Sequence, residues 1–293
     1  MNSTLFIRQI TLIGVGLIGG SFVLDLKRQG LVERVVGVDV NQGNLARALE
    51  RKVIDEAFTE LTTASISGAD LVLLATPVAT FPQICATLAP LLGEQTIVSD
   101  VGSTKQSALQ AFAEYLPHHF PYCVAAHPIA GSDRHGALAA QFGLFEHKKL
   151  ILCRHPEQNE ASLNKIEALW QAVGAHTYQM AAAEHDAIFA AVSHLPHLLA
   201  YAYVHQIATH PDGKTYLDFA GSGFRDFTRI ASSHPAIWTD ITLANRDSLL
   251  ELIQGCHQQL AQLERVLQEQ DADALFHYFT EAKLTRDEWQ DKQ

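Results

Sequence analysis

Cysteine is scarce in this chain of 293 residues, and its four copies, Cys85, Cys123, Cys153 and Cys256, are scattered with no CxxC pair. That excludes a thiolate zinc framework and leaves reduced thiols acting as small packing residues. Positive charge is also in short supply, with 21 Lys and Arg against 32 Asp and Glu and a net charge of −11. Without a basic cluster there is no face for nucleic-acid phosphates, although an anionic small molecule is admissible wherever a few cations converge. No run reads as long and apolar enough to span a bilayer, Met1 to Gln9 lacks the build of a signal peptide, and no HExxH helix occurs. These absences exclude nucleic-acid and membrane partners and a metal site, and make the cytoplasm the default location.

What is present begins with Ile10-Thr11-Leu12-Ile13-Gly14-Val15-Gly16-Leu17-Ile18-Gly19-Gly20-Ser21, a short apolar run that breaks into three spaced glycines. Gly14 can make the tight turn, Gly16 lets backbone approach a pyrophosphate, and Gly19 lets the following helix pack closely on the strand. The helix N-terminus, at Leu17 and Ile18, aims amides at the phosphates. An ordinary tight turn has the same glycines, but here the context agrees. An apolar helical stretch follows, then a strand-like Val35 to Val38 ending at Asp39, about 20 residues after Gly19, where the adenosine ribose should be held. A carboxylate there accepts from a 2′-hydroxyl and repels a 2′-phosphate, so NAD is expected rather than NADP. Arg47 nearby keeps a phosphate partner open.

Strand-like and helix-like periods alternate as far as Met180, with strands near 9–15, 35–39, 71–75, 96–100, 122–126, 149–153 and 177–180. The pattern is α/β and doubly wound. Thr76-Pro77 and Val101-Gly102-Ser103 follow strands, at the edge where ligands of such sheets collect, and should border the cofactor. From Ala181 the character becomes long apolar helices: Ile188, Phe189, Val192, Leu195, Leu198, Leu199, Tyr203 and Ile207, then Leu249, Leu250, Ile253, Leu260, Leu263 and Leu267 after a loop spanning 211–223. Pro196 should kink the first. The length suggests about two domains: a Rossmann-type dinucleotide-binding domain at 1–180 and an all-α domain at 181–293. Helices this apolar are expected to bury surface against a twin, giving a homodimer; a self-contained bundle is the alternative.

Four polar clusters carry candidate chemistry. His127, in Ala126-His127-Pro128-Ile129-Ala130-Gly131-Ser132, stands at the ligand edge as a candidate general base, unless it caps a loop. Ser103, in Gly102-Ser103-Thr104-Lys105, could bridge His127 and a substrate oxygen, or equally be a helix N-cap for the segment from Thr104. Ser193, His194 and His197 surround Pro196 on an apolar helix; they form no metal set, and a bound carboxylate would give the imidazoles a partner. Gly221-Ser222-Gly223-Phe224-Arg225-Asp226-Phe227-Thr228-Arg229, followed by Trp238, offers guanidinium forks for a carboxylate, or a solvated helix start.

In this order the clusters closely resemble the prephenate and arogenate dehydrogenase family of tyrosine biosynthesis. GVGLIGGS, VDVN, ATPV, SDVGSTK, AHPIAGS, VSHLPH, GSGFRDFTRIA and the IW before Thr239 carry the likeness over nearly the whole chain. The resemblance implies NAD-dependent oxidative decarboxylation of a cyclohexadiene acid. It implies that His127 accepts the proton of the ring hydroxyl, that Ser103 orients hydroxyl and nicotinamide, and that Arg229 holds the ring carboxylate. His197, with Ser193 and His194, should face the substrate side chain. Ser222, Arg225, Asp226 and Trp238 match a segment that relatives lend across a dimer interface. No chorismate mutase or ACT segment is expected at either end. Two rivals remain. A β-hydroxyacid dehydrogenase shares this build but needs a helical lysine that 181–210 lacks, and a nicotinamide-sensing protein has no reason to keep His127, Ser103 and Arg229 together.

Overall fold

The computed structural model describes residues 6–131 and 136–292. Ser132 of the AHPIAGS cluster lies outside them. Eight strands form one sheet: β1 (Ile7–Ile13), β2 (Val32–Val38), β3 (Glu56–Phe58), β4 (Leu71–Leu74), β5 (Ile97–Asp100), β6 (Cys123–Pro128), β7 (Lys149–Cys153) and β8 (His176–Met180). Their order is β3-β2-β1-β4-β5-β6-β7-β8. All neighbours run parallel except β6 and β7, which pair antiparallel with His127 opposite Ile151. The three-residue β3 carries no period that could reveal it in sequence, and the alternating pattern missed it.

Strand alternation builds two cores, one on each face of the sheet. Leu12, Leu71, Leu73, Val124, Leu150 and Leu152 point to one side, where Phe22 stacks on Trp170 at 4.1 Å and Phe145 meets the indole edge at 4.9 Å. Ile13, Val72, Leu74, Ala125 and Ile151 point to the other, against Phe81, Phe112 and Phe189. A one-residue slip would exchange the two sets, so burial on both faces pins the register. The strand order reverses between β1 and β4, which leaves a crevice beyond their carboxyl ends.

After β8 the chain runs as one helical rod, Ala182–Phe189, a π-helical turn Ala190–His194, and Leu195–Thr209. The expected disturbance at Pro196 is therefore a π turn just before it. Proline has no amide and its ring crowds the carbonyl four residues back, and a widened turn relieves both. By length and composition this rod is long and apolar enough to cross a membrane, with mean hydropathy 1.4, which corrects the expectation that no run qualifies. Its buried face nevertheless carries His185, Asp186 and His194 in hydrogen bonds to the rest of the domain.

The stretch expected as a loop over 211–223 holds a short helix, Gly213–Asp218, and the start of another, Ser222–Thr228; a 3-10 turn Arg229–Ser232 and the helix Pro235–Ala244 follow. By compactness the chain divides into residues 1–245 and 246–293. The second unit is a helical pair, Arg246–Glu269 and Ala272–Gln290, turned by Gln270 at φ 51° and capped by Asp271, whose carboxylate accepts from the Ala274 amide at 2.9 Å. Tyr278 bonds Gln259 across the pair at 3.0 Å, and Leu260, Leu267, Phe276, Phe279 and Trp289 are exposed.

Candidate active site

The dinucleotide end is built by three glycines with three different neighbourhoods. Gly14 has φ +86°, and a Cβ there would lie 2.7 Å from the Ala75 carbonyl oxygen at the end of β4. Gly19 would drive a Cβ to 2.5 Å from the Leu12 side chain, so its absence lets the helix Leu17–Arg28 sit on β1. At Gly16, the N-cap, a Cβ would meet nothing within 4 Å. The protein's own packing demands glycine at the first and third positions; at the second the free space fits a group arriving from solvent.

Asp39 closes this end. Its carboxylate accepts from the Val15 amide at 3.1 Å, the Asn44 side chain at 2.9 Å and the Asn41 amide at 2.9 Å, which fixes it beside the glycine loop. Asn44 also donates to the Val15 carbonyl at 2.7 Å and accepts from the Ala137 amide at 2.8 Å. Gly14, Gly16, Asp39, Thr76 and Pro77 line one cleft of about 510 Å³. Leu17 and Ile18 form the first turn of the helix behind it, and the Asp240 carboxylate caps the turn after Pro77 by accepting from the Ala79 amide at 2.9 Å.

The second end lies at β5 and β6. Asp100, fully buried, ends β5; its carboxylate takes the Lys105 ammonium, the Gly102 amide at 2.7 Å and the Ala126 amide at 3.1 Å. Lys105 also donates to the Ala126 carbonyl at 2.6 Å. This buried pair ties the Ser103 loop to the backbone just before His127. Burial pushes the Asp100 carboxyl up, and Lys105 opposes that shift. His127 itself lies within β6 rather than just after a strand. Burial holds its imidazole well below the ordinary histidine range, with His185, Lys105 and His194 adding to the shift.

Ser103 does not cap the helix that follows it. That helix is Gln106–Tyr115, and its cap comes from a residue eighty positions away: Asp186 accepts from the Lys105 amide at 2.8 Å and the Gln106 amide at 2.9 Å. The His127 Nδ1 lies 2.8 Å from the His185 Nε2, and the His185 Nδ1 lies 2.8 Å from the same Asp186 carboxylate. Asn245 donates to the Asp186 carbonyl at 2.8 Å and meets the His194 Nδ1 at 3.2 Å. Sequence reasoning missed His185, Asp186 and Asn245. A lone His-Asp pair at the start of an apolar helix carries no motif, and only burial of both at the sheet's edge marks them.

Past the π turn, His197 donates from Nδ1 to the Ser193 carbonyl at 2.8 Å and stacks on Trp238 at 3.5 Å, with His194 edge-on to the same indole at 6.1 Å. Burial pushes His194 down to about 4 and also lowers His197, to which the Arg229 guanidinium adds. Arg229 begins the 3-10 turn held by Tyr201, whose hydroxyl donates to the Ser233 carbonyl at 2.6 Å, while Tyr203 packs against Phe224 and Phe227. Described contacts thus run from His127 through His185, Asp186, Asn245 and His194 to Trp238 and His197, while Arg229 is exposed on its turn. Ser222 and Arg225 lie exposed on the helix Ser222–Thr228, outside that series among the described residues.

A glycine-loop sheet edge beside a buried imidazole cluster is the build of a dinucleotide-dependent dehydrogenase. Two family models match: the nucleotide-binding domain of prephenate dehydrogenase over residues 22–179 and its dimerization domain over 181–281. The prephenate dehydrogenase of Bacillus subtilis is 35% identical over 282 residues, 95% of this chain and 75% of the relative. The cyclohexadienyl dehydrogenase of Zymomonas mobilis is 31% identical, covering 95% of each. A crystal structure of prephenate dehydrogenase from Aquifex aeolicus in complex with hydroxyphenyl propionate and NAD+ superposes with a TM-score of 0.89 at 33% identity, over 96% of this chain and 98% of that one. The chain belongs to the prephenate dehydrogenase family.

Proposed function

We propose that this protein is an NAD-dependent oxidoreductase of tyrosine biosynthesis that oxidatively decarboxylates prephenate, arogenate, or both, as a cytoplasmic homodimer. The observation that carries the reading is the series of contacts joining His127 through His185, Asp186 and Asn245 to His194, Trp238 and His197, together with the glycine-loop cleft at the carboxyl ends of β1 and β4. NAD, when bound, supplies the hydride acceptor. Gly14, Gly16 and Gly19 with the amides of Leu17 and Ile18 would take the pyrophosphate, Asp39 the ribose, and Thr76, Pro77 and Ser103 the nicotinamide half. The functional division follows at residue 180, with the helical remainder supplying substrate contacts and the dimer.

His127 accepts the proton of the ring hydroxyl as the C4–H bond breaks; the electrons of the C1–carboxylate bond move into the ring, carbon dioxide leaves, and the ring becomes aromatic. A low-lying imidazole is neutral near pH 7 and so is ready to accept. Ser103 orients the hydroxyl from the neighbouring strand end. Arg229 holds the departing carboxylate, and a fork geometry matters because the bond to carbon dioxide must stand over the ring to overlap with it. His197, Ser193 and His194 face the side chain, and Ser222, Arg225 and Trp238 complete the pocket in the dimer.

Mixing the purified protein with NAD and each acid in turn, and following the absorbance of reduced cofactor, tests this directly. Turnover of at least one acid is expected, and the ratio of kcat/KM between them assigns the side-chain preference. No reduced cofactor with either acid, while NAD still binds, would overturn the enzymatic reading in favour of a nicotinamide sensor.

A further inference from the structure

The proton that His127 accepts can go to only one of its two nitrogens, and an unpaired imidazole divides between tautomers. We propose that His185 and Asp186 act as a relay that fixes His127 with its hydrogen on Nδ1, leaving Nε2 as the base, and that the same Asp186 carboxylate anchors the start of the helix behind Ser103. The inference rests on the reading of His127 as the base.

The argument is one of hydrogen counting. The Asp186 side chain is 1% exposed and that of His185 fully buried, so water does not complete their bonds. Burial alone would raise the Asp186 carboxyl, but the bonds from His185 and from the Lys105 and Gln106 amides outweigh it and hold the group below its ordinary value. An ionised carboxylate only accepts, so the His185 nitrogen 2.8 Å away, Nδ1, carries the hydrogen. Burial keeps His185 low, hence neutral near pH 7, and a neutral imidazole has one N–H. The Nε2 of His185 is then a lone pair, and the 2.8 Å contact with His127 requires the hydrogen to stand on His127 Nδ1. Both rings pack on Phe189, at 5.0 and 4.5 Å, which restricts their rotation.

The other charged or titratable groups facing the pair leave this assignment intact. Lys105 is committed to Asp100 and the Ala126 carbonyl; His194, from the π turn, is neutral; and the Cys153 thiol on β7 is pushed up to about 12 by burial. Because the Asp186 carboxylate also receives the Lys105 and Gln106 amides, a single group positions the base on β6 and the loop carrying Ser103 on β5. His185 and Asp186 are positioning residues; neither touches substrate in this arrangement.

Two isosteres separate the two halves of the relay. Asparagine at 185 reproduces the Nδ1 side and keeps the bond to Asp186; glutamine reproduces the Nε2 side and keeps an acceptor for His127. His185→Asn is expected to lower kcat about 100-fold, in the range seen for loss of orienting partners, with KM and the Kd of NAD within about twofold, and to move the acid limb of the kcat profile downward. His185→Gln is expected to recover at least about tenfold of that loss. Equal kcat values for the two variants, or a kcat within about threefold of the parent for His185→Asn, would overturn the relay. Independently of any variant, 15N NMR of histidine-labelled parent protein near pH 7 should show both His127 and His185 as Nδ1–H tautomers. An Nε2–H signal for His127 sinks the proposal even if the enzyme is active. A parent that turns over neither acid sinks the proposed function and leaves the tautomer measurement to stand alone.

Discussion

The two ends of the site are assembled by opposite means. The glycine-loop end is contiguous: Gly14, Gly16 and Gly19 fall within six residues, and their partners Asp39, Ala75 and Thr76 come from the ends of strands hydrogen-bonded to or beside β1. The histidine end collects His127 from β6, Ser103 from the loop after β5, His185 and His194 from the helical rod, and Asn245 from the end of Pro235–Ala244. The first relies on backbone shape and open space, the second on buried side chains that satisfy one another. Backbone shape is a property of short sequence, whereas mutual satisfaction of buried groups depends on which distant segments meet. Substitutions at the two ends should therefore fail in different ways.

The largest effect is expected at the histidine end. His127→Asn should lower kcat by about 10³-fold or more while leaving NAD affinity and thermal stability near the parent values, because a general base acts on the barrier rather than on binding. Loss of NAD binding in that variant would break the separation of the two ends. Arg229→Ala comes next. It should raise KM for the acid about 10- to 100-fold, the range for a lost charged hydrogen bond, with a smaller effect on kcat; steady-state kinetics at saturating NAD separate the two.

At the glycine end, the first two positions sharpen the contrast within a single loop. Gly14→Ala should cost about 1–2 kcal/mol of stability from its left-handed backbone, with more from the contact at Ala75, read as a lower urea midpoint. Gly16→Ala should leave that midpoint unchanged, since nothing lies within 4 Å of the new Cβ, yet weaken NAD at least about tenfold in a titration. Equal stability losses in both would mean that Gly16 serves packing and not a ligand.

A last contrast concerns pH. Burial holds His127, His185, His194 and His197 below the histidine range, so as pH falls from 6.5 toward the His194 value of about 4 the unfolded chain binds protons that the folded chain refuses. Stability should be flat above pH 6.5 and fall as pH drops through that window. His194→Gln should flatten part of the slope. Urea melts across the window check it, and a parent whose stability stays level from pH 7 to 5 would contradict the neutral imidazole cluster.

Much of the fold was legible in the sequence because its signals are short in range. Apolar runs four to seven residues long announced seven of the eight strands, and the turn residues between them announced the ligand edge. The boundary expected at residue 180 rests on a change of period from two to that of a helix. Compactness instead keeps residues 181–245 with the sheet, since the rod buries His185, Asp186 and Phe189 there. His127, Ser103, His197 and Arg229 stood out through their motifs. His185 and Asp186 did not, because a charged pair at a helix start looks like any solvated one until burial is known.

The sequence by itself determined the glycine turn, the acid that ends β2, the alternating strands and the family to which the chain belongs, because each is written in neighbouring residues whose spacing backbone geometry dictates. The tertiary structure decided the cap on Gln106–Tyr115, the π turn that absorbs Pro196, and which carboxylate stands behind the His127 imidazole. The cap and the relay join groups that lie 58 to 80 residues apart. Only the folded chain, by excluding water from them, makes their hydrogen bonds obligatory.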